Sequence, residues 1–374
     1  MYSFRKEVVK AISEKAKTYL CAPLNRDSID DRESGKNIKN RENAKSRDNR
    51  EISYWNEIGC TFINYDFDRH GRNPLKEQKH LHFYEKLLQE IKPDIVFTYT
   101  IKPNIYGGIA CASMGIPYVA NITGLGTAIE NGGITHKVAI LLYKFALRKA
   151  QKVFFQNSEN RDFMLSHGIG RKAYALLPGS GVNLNEYRPS PYPNDEKTIN
   201  FIFVGRIMKE KGIDQYLEAA KVIRQRHPET QFHIYGSFEQ NNYERILKSF
   251  IDDGSVIYHD SVFNMKPVYQ MAACTIHPTY YPEGLSNVLL ESAASGRPII
   301  TTNRSGCREI VDDDVNGYVV KQQDSEDLIE KIEKFLNLSW EDRRRMGLSG
   351  RAKVEREFDR NIVIKKYIDE IKAV

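Results

Sequence analysis

Short runs of apolar residues alternate with segments of helical periodicity along most of the 374-residue chain. The runs are bounded by turn residues, as in strands that are buried on both faces. They lie at residues 94–99, 117–122, 152–157, 199–204, 231–235, 255–258, 274–277 and 298–302. Strands and helices that alternate in this way form βαβ units. The pattern therefore predicts an α/β fold with parallel sheets.

A polar, proline-rich stretch, YRPSPYPNDEKT at residues 187–198, separates two such arrays. Clusters of proline and polar residues mark linkers. We therefore predict two Rossmann-like domains, over residues 1–188 and 189–355, and a C-terminal helix over 356–374 that packs back toward the first domain. Residues 25–50 are polar, charged and poor in apolar side chains, which predicts a mobile loop.

The beginning of the chain departs from the usual pattern. Residues 4–17 have the periodicity of a helix, and a strand, TYLCA at 18–22, follows. A doubly wound domain normally opens on a strand that lies centrally in its sheet. The sequence therefore predicts a first domain that lacks its usual first strand, unless the true start lies upstream.

The two halves of the chain differ in charge. Residues 1–190 contain 29 Lys and Arg against 20 Asp and Glu, whereas residues 191–374 contain 26 against 29. The excess indicates either an anionic partner for the first half or an ordinary solvated surface. The five cysteines have no metal-ligand spacing, so we expect reduced thiols and no metal site. No nucleic-acid partner is expected.

The first motif with candidate chemistry is PEGLSNVLLESAASGRP at residues 282–298, which predicts a helix over 286–295. The free amides and positive dipole end of this helix suit a phosphate, and Gly284 allows close approach. Glu291 lies about one and a half turns into the helix, where it can accept hydrogen bonds from a vicinal diol such as a ribose. Glu283 can hold hydroxyl groups of a sugar on the other side of a diphosphate.

The second motif, FVGRIMKEKGID at residues 203–214, reads as a strand end, a glycine turn and the start of a helix. Gly205 frees space at this turn. Arg206 and Lys211 are two cations at the carboxyl edge of a strand, where ligands bind in open α/β sheets. Two cations and a helix N-terminus can neutralise a departing diphosphate without a metal ion.

The second motif, followed by YYPEGLSNVLLESAASGRPIITTNRSGCREIV, resembles the retaining glycosyltransferases of family 4. The resemblance implies the GT-B fold, in which two Rossmann-like domains face each other. It also implies that Glu283 lies at the donor sugar, that Glu291 binds the ribose, and that Arg206 and Lys211 contact the diphosphate. Further donor-binding positions are expected on the two strand-to-helix turns, at Gly205, Gly284, Leu285, Ser286 and Asn287.

In the first half, TYTIKPNIYGG at 98–108 and NITGLGTA at 121–128 resemble the acceptor-side segments of one subfamily. That subfamily builds capsule, O-antigen and related lipid-linked glycans. The candidates for acceptor contacts lie on loops at strand ends: Lys102, Asn104, Thr123, Gly124 and Gly126. Many relatives have a histidine after the strand that ends in NIT, and this chain has none there.

The resemblance therefore predicts transfer of a hexosyl or N-acetylhexosaminyl group from a UDP-sugar, with retention and without a metal cofactor. The expected acceptor is a glycan on undecaprenyl diphosphate. The expected location is the cytoplasm, at the inner face of an anionic membrane. Residues 136–152, HKVAILLYKFALRKAQK, predict either a helix that docks on this bilayer or a helix that covers the first sheet.

Three other functions stay open. The missing central strand favours an inactive or binding-only homologue that scaffolds polysaccharide assembly. A nucleotide-sugar epimerase can share the two-domain architecture, although the spacing of the two glutamates favours transfer. A nicotinamide-dependent dehydrogenase ranks lowest, because it requires G-x-G-x-x-G after a strand and no strand end in this sequence supplies it.

Overall fold

The structure is a computed structural model that describes residues 2–23, 51–65, 74–125, 129, 132–194, 198–240, 242–262 and 264–374. The mobile loop predicted at residues 25–50 lies outside the described part of the chain. Within these residues, no helix is both long and apolar enough to span a bilayer.

The strands of the first half form two parallel sheets rather than one. The smaller sheet pairs β1 (Thr18–Ala22) with β2 (Cys60–Asn64). The larger sheet has the order β3-β4-β5-β6, with β3 Val96–Tyr99, β4 Tyr118–Ile122, β5 Lys152–Phe155 and β6 Tyr174–Leu176. No ladder joins the two sheets among the described residues. The described strands of the first half are therefore divided between two ladders.

The first half includes the helices α1 (Tyr2–Ser13), α2 (Pro74–Ile91), α3 (Gly108–Met114), α4 (Gly133–Leu147) and α5 (Ser158–Ser166). Buried residues of α3, α4 and the larger sheet form one apolar core: Ala110, Cys111, Tyr118, Ala120, Ile122, Ile140, Tyr143, Ala146, Val153 and Phe155. Helix α4 therefore covers the first sheet, which is one of the two alternatives predicted for residues 136–152.

The second half has one six-stranded parallel sheet, in the order β12-β11-β10-β7-β8-β9. Its strands are β7 Ile199–Val204, β8 Thr230–Tyr235, β9 Ile257–His259, β10 Cys274–His277, β11 Ile299–Thr302 and β12 Gly317–Val320. Its helices are α6 Ile213–Arg226, α7 Asn242–Asp252, α8 Lys266–Met271, α9 Asn287–Ala294, α10 Ser325–Leu336 and α11 Trp340–Glu357. The order changes direction between β7 and β10, which is where open α/β sheets bind ligands.

The last helix, α12 (Arg360–Ile371), packs on the first half of the chain. Its Tyr367 joins an apolar cluster with Val119 and Phe154 of the larger first-domain sheet. The Arg360 guanidinium pairs with the Glu7 carboxylate at 2.5 Å. Just before this helix, the Val182 amide donates to the Phe358 carbonyl at 2.9 Å, and the Arg360 amide donates back to the Val182 carbonyl at 3.1 Å. The segments that cross between the domains are thus paired with each other.

A buried arginine fixes the far end of α9. The Arg297 side chain is 1% exposed, and its guanidinium donates to the Tyr269 carbonyl at 2.7 Å and the Pro191 carbonyl at 2.9 Å. It also donates to the Ser190 hydroxyl at 2.5 Å. Burial lowers the pKa of Arg297 to about 10, which leaves the guanidinium charged at neutral pH. Arg297 thus connects α9, the end of α8 and the interdomain linker.

We expect Arg297→Met to lower the free energy of unfolding by about 3 kcal/mol, because several buried carbonyl groups lose their donor. Urea denaturation followed by circular dichroism measures this change. Arg344→Met is the matched control, since Arg344 is an exposed arginine on α11. We expect the control to stay within about 0.5 kcal/mol of the parent chain. Equal effects of the two substitutions would contradict the assigned role.

Candidate active site

A cavity of about 320 Å³ lies between the two domains. The first domain contributes side chains at the carboxyl ends of its strands: Tyr99 at the end of β3, Thr100 after it, Thr123 after β4 and Gln156 after β5. The second domain contributes Lys211, Tyr281, Pro282, Glu283, Gly284, Leu285 and Asn287. Arg5 and Ser180 complete the lining. Both sheets thus present their carboxyl edges to one cleft, as GT-B geometry requires.

The wall of this cavity carries a buried ion pair between the Lys211 ammonium and the Glu283 carboxylate. The two side chains are only 12% and 13% exposed. The Nε2 atom of His277, at the end of β10, lies 3.8 Å from Glu283 Oε1. Within the part of the chain that the structure describes, the two ring nitrogens of His277 have no hydrogen-bond partner. The sequence motifs that supplied Lys211 and Glu283 separately therefore meet in one site.

The charge states in this cluster follow from burial and from the lysine. Burial acts to raise the pKa of Glu283, but the Lys211 ammonium outweighs it and holds that pKa well below its usual range. Burial lowers the pKa of His277 despite the adjacent carboxylate. The site at neutral pH therefore contains an ionised glutamate and a neutral imidazole.

The position of Lys211 depends on the glycine that follows it. Gly212 has a φ of +75° and ends the short 3₁₀ turn Lys209–Lys211 before α6. A Cβ atom at Gly212 would lie 2.0 Å from the carbonyl oxygen of Pro278. Only glycine allows this approach between the turn after β7 and the loop after β10. The approach brings Lys211 to Glu283.

The second predicted cation, Arg206, lies at the outer side of the same wall. Its guanidinium lies 5.3 Å from the centre of the Tyr281 ring, and the Lys211 ammonium lies 5.2 Å from that centre. Arg206 also pairs with Glu239 at 2.8 Å and is 42% exposed. It does not line the 320 Å³ cavity. Tyr281, which the sequence analysis did not single out, brings the two cations together.

The predicted helix N-terminus is present, and α9 begins at Asn287. Ser286 is at the N-cap position of α9, with extended backbone, but its side chain makes no capping hydrogen bond. The backbone amide of Ser286 donates to the Gly306 carbonyl at 2.8 Å and is therefore not available to a ligand. The first-turn amides of α9 begin at Asn287, which lines the cavity. This end of the helix is suited to an anion.

Glu291 lies one turn into α9 and does not line the cavity. The Tyr269 hydroxyl donates to its Oε2 atom at 3.1 Å. Burial raises the pKa of Glu291 to about 7, although hydrogen bonds from Tyr269 and Tyr187 act to lower it. This carboxyl group therefore changes its charge near neutral pH.

The first domain touches the donor-side loop directly. Asn157, at the end of the β5 segment, donates through Nδ2 to the Gly284 carbonyl at 2.7 Å and to the Glu283 carbonyl at 3.1 Å. A Cβ atom at Gly284 would lie 2.4 Å from the Thr123 carbonyl oxygen, and one at Gly124 would lie 3.2 Å from the Pro282 carbonyl oxygen. Asn157 was missed by the sequence analysis. Its only sequence signal is an N-cap asparagine directly after a buried strand.

The acceptor-side candidates lie in different places. Thr123 lines the cavity, and Gly124 packs against the loop that carries Glu283. Asn104 is fully buried, accepts from the Thr98 hydroxyl at 2.7 Å and donates to the Asn121 carbonyl at 2.9 Å. Its amide thus joins β3 to β4 and does not face the cavity. Lys102 pairs with Glu77 at 2.7 Å and also lies off the cavity wall. Gly126 lies outside the described residues.

One group of side chains has the composition of a metal site. Ligand atoms of His277, Glu283 and Cys307 lie within 4.8 Å of one another. The Lys211 ammonium already neutralises the carboxylate, and burial raises the pKa of the Cys307 thiol, which keeps it protonated. A metal ion would have to displace one cation and one proton to bind here. The prediction that no metal cofactor is needed stays a prediction.

Two family models match the chain. The one described as "Glycosyl transferases group 1" matches residues 186–353, and the one described as "Glycosyl transferase 4-like" matches residues 44–157. They fall on the two halves that carry the two sides of the cleft.

Individual relatives agree with these matches. The chain is 25% identical to the Campylobacter jejuni N,N'-diacetylbacillosaminyl-diphospho-undecaprenol alpha-1,3-N-acetylgalactosaminyltransferase, over 83% of this chain and 85% of the relative. It is 27% identical to the Escherichia coli UDP-Gal:alpha-D-GlcNAc-diphosphoundecaprenol alpha-1,3-galactosyltransferase, over 80% and 79% of the two chains.

A solved structure gives the same fold. The crystal structure of Anabaena HepE in complex with UDP superposes with a TM-score of 0.72 at 15% identity, over 87% of this chain and 90% of that one. The fold, the cleft and the two family matches lead to one conclusion: the chain belongs to the family 4-like glycosyltransferases with the GT-B fold.

Proposed function

We propose that this glycosyltransferase transfers a sugar from a UDP-sugar to a glycan on undecaprenyl diphosphate, with retention of the anomeric configuration, in the synthesis of a surface polysaccharide. The observation that carries the proposal is the buried pair of Lys211 and Glu283 in the cleft, beside the N-terminus of α9. Two relatives whose names specify undecaprenyl-diphosphate acceptors support the choice of acceptor. One of these names also specifies a UDP-sugar donor.

The donor diphosphate would bind between Lys211, Arg206 and the first-turn amides of α9. These groups combine a buried cation, a half-exposed cation and a helix dipole end, all of which favour an anion. Lys211 then exchanges the Glu283 carboxylate for the diphosphate. The freed carboxylate accepts hydrogen bonds from hydroxyl groups of the donor sugar. Glu291 in its ionised form accepts hydrogen bonds from the ribose diol.

The transfer step requires electrostatic stabilisation of the leaving group. As the bond between the anomeric carbon and the diphosphate oxygen breaks, the electron pair stays on the phosphate. The negative charge that grows there is stabilised by Lys211 and Arg206. The acceptor hydroxyl forms the new bond on the same face, and its proton passes to the departing phosphate. The acceptor would enter past Thr123 and Gly124, at the cytoplasmic side of the membrane.

We expect Glu291→Ala to weaken UDP binding about 100-fold, because two charge-assisted hydrogen bonds to the ribose are lost. Isothermal titration calorimetry with UDP, and with GDP for comparison, measures the effect. Glu330→Ala, at an exposed glutamate of α10, is the matched control and should bind UDP like the parent chain. A folded parent chain that binds no nucleotide would refute the donor assignment and favour the scaffold alternative.

The pKa of Glu291, raised to about 7, predicts that nucleotide affinity depends on pH. If the ionised form binds the ribose, protonation below the pKa competes with binding, so affinity rises with pH from 6 to 8 by about tenfold. Glu291→Gln removes the titration of this carboxyl group, whereas the phosphate of UDP titrates in the same way in both binding experiments. The ratio of parent to variant affinity should therefore increase across this range. A ratio that stays constant would contradict the role of the carboxylate.

We expect Glu283→Gln to lower kcat by about two to three orders of magnitude, because its charge acts near the reacting carbon. UDP affinity should change much less, since UDP lacks the sugar. Nuclear magnetic resonance of the product formed by the parent chain should show the anomeric configuration of the donor. An inverted product, or a covalent sugar adduct trapped on Glu283, would rule out the same-face mechanism.

A further inference from the structure

The first-domain side of the active-site cleft contains a buried cation, Arg5. This residue lies in the first turn of α1, and its side chain is only 7% exposed. It lines the 320 Å³ cavity together with Tyr99 and Thr123 of the same domain. Helix α1 packs on the larger first-domain sheet through Val8. Arg5 therefore brings a positive charge to the cleft from the first domain, whereas Lys211 belongs to the second.

The charge of Arg5 is not neutralised by a carboxylate within the described part of the chain. The next residue, Lys6, pairs with Glu186 at 3.1 Å. The carboxylate of Glu7 pairs with Arg360 at 2.5 Å. The two neighbours of Arg5 on α1 thus both belong to ion pairs, and Arg5 does not. A buried charge without a counter-charge is costly, and a bound anion would remove this cost.

Two tyrosines hold the Arg5 side chain in place. Its Nη1 atom donates to the Tyr367 hydroxyl at 3.2 Å, and its guanidinium carbon lies 4.1 Å from the centre of the Tyr99 ring. The Tyr367 hydroxyl in turn donates to the Asn121 side chain, whose Nδ2 atom donates to the Thr98 carbonyl at 3.1 Å. The last helix, α12, and strands β3 and β4 therefore fix the direction of the guanidinium.

These tyrosines orient Arg5 but do not supply a negative charge. Burial raises the pKa of Tyr99 and that of Tyr367, so both phenols are neutral at neutral pH. A guanidinium has five N–H donors in a planar fork, and Tyr367 accepts from one of its terminal nitrogens. This fork matches two oxygens of a phosphate or a carboxylate. Arg5 thus has the chemistry of an oxyanion ligand at the wall of the cleft.

We propose that Arg5, positioned by Tyr367, binds the diphosphate of the acceptor. The inference rests on the proposed function, in which the acceptor sugar is attached to a lipid diphosphate. The donor diphosphate is assigned there to the second-domain wall, with Lys211 and Arg206. Arg5 faces the same cavity from the side of Thr123, where the acceptor would enter. The second anion of the reaction would therefore meet the cation of the first domain.

Another oxyanion could reach the same guanidinium. A donor sugar with a carboxylate, such as a uronic acid, would also place two oxygens in the cavity, because Glu283 at the donor sugar lines it too. The acceptor diphosphate is favoured because Arg5 is fixed to the first domain through Tyr367 and Asn121. The experiment below includes one arm for each source.

Isothermal titration calorimetry of the full chain with geranyl diphosphate, at saturating UDP, tests the proposal. UDP fills the donor diphosphate site, and geranyl diphosphate supplies a lipid diphosphate without a sugar. We expect the parent chain to bind it and Arg5→Gln to bind it about 50-fold more weakly. Arg5→Lys keeps the charge but loses the planar fork, so about a tenfold loss is expected. Lys10→Gln, at an exposed lysine of α1, is the matched control and should change the affinity less than about twofold.

The positioning role of Tyr367 has a separate readout. Tyr367→Phe removes the hydroxyl that accepts from Arg5, so we expect it to weaken geranyl diphosphate binding about fivefold. The same substitution in the Arg5→Gln background should have no further effect, because the two residues act together. Equal losses in both backgrounds would show a merely structural role for Tyr367. UDP titration of each variant first establishes that it is folded, and Arg5→Lys replaces Arg5→Gln if the latter does not fold.

Three results would overturn the proposal. A UDP-bound parent chain that does not bind geranyl diphosphate would refute it and leave the donor site intact, as would equal affinities of the parent chain and Arg5→Gln. The third is a preference of the parent chain for UDP-glucuronate over UDP-glucose that Arg5→Gln abolishes, since Arg5 would then bind the donor sugar. A folded chain that binds no UDP would instead refute the proposed function, and this inference with it.

Discussion

The candidate active site depends on the close approach of two backbone segments, at Gly212 and Pro278. The turn after β7 and the loop after β10 can come together because β7 and β10 are neighbours in the sheet and because Gly212 has no side chain. Lys211 and Glu283 are 72 residues apart in sequence and form their ion pair through this approach. The pair then determines the ionisation of Glu283, and therefore what the cleft can bind.

The cleft also depends on contacts that the two domains share. Gly284 allows the donor-side loop to pass against the Thr123 carbonyl, and Asn157 holds that loop by two hydrogen bonds from the first domain. The loop that carries Glu283 is thus positioned by both domains, which explains why Thr123 of the first domain and the first residue of α9, Asn287, line one cavity. A change in the first domain can therefore alter the position of Glu283 through Asn157.

The strands that are buried on both faces could be predicted from the sequence, since they appear as continuous apolar runs. It missed β2, β6 and β12, which each lie at the edge of a sheet. The exposed Thr61 and Asn64 interrupt the apolar pattern of β2, and β6 has only three residues. It located Lys211, Glu283 and the N-terminus of α9 because local motifs encode them. It did not reveal Tyr281, Tyr269 or Asn157, whose roles arise from contacts between distant segments. Asn104 resembles an acceptor residue in sequence, but its buried amide serves the sheet.

The paired segments at Val182 and Phe358 have a consequence for motion between the domains. The chain passes from the first domain to the second after Val182 and returns to the first domain after Phe358. Backbone hydrogen bonds hold these two passages side by side. Two adjacent crossings behave as a narrow hinge, about which the domains can rotate to open the cleft. Twisting of one domain against the other is resisted, because it would shear these hydrogen bonds. A rotation about this hinge that opens the cleft would have to break the hydrogen bonds from Asn157 to the Gly284 and Glu283 carbonyls.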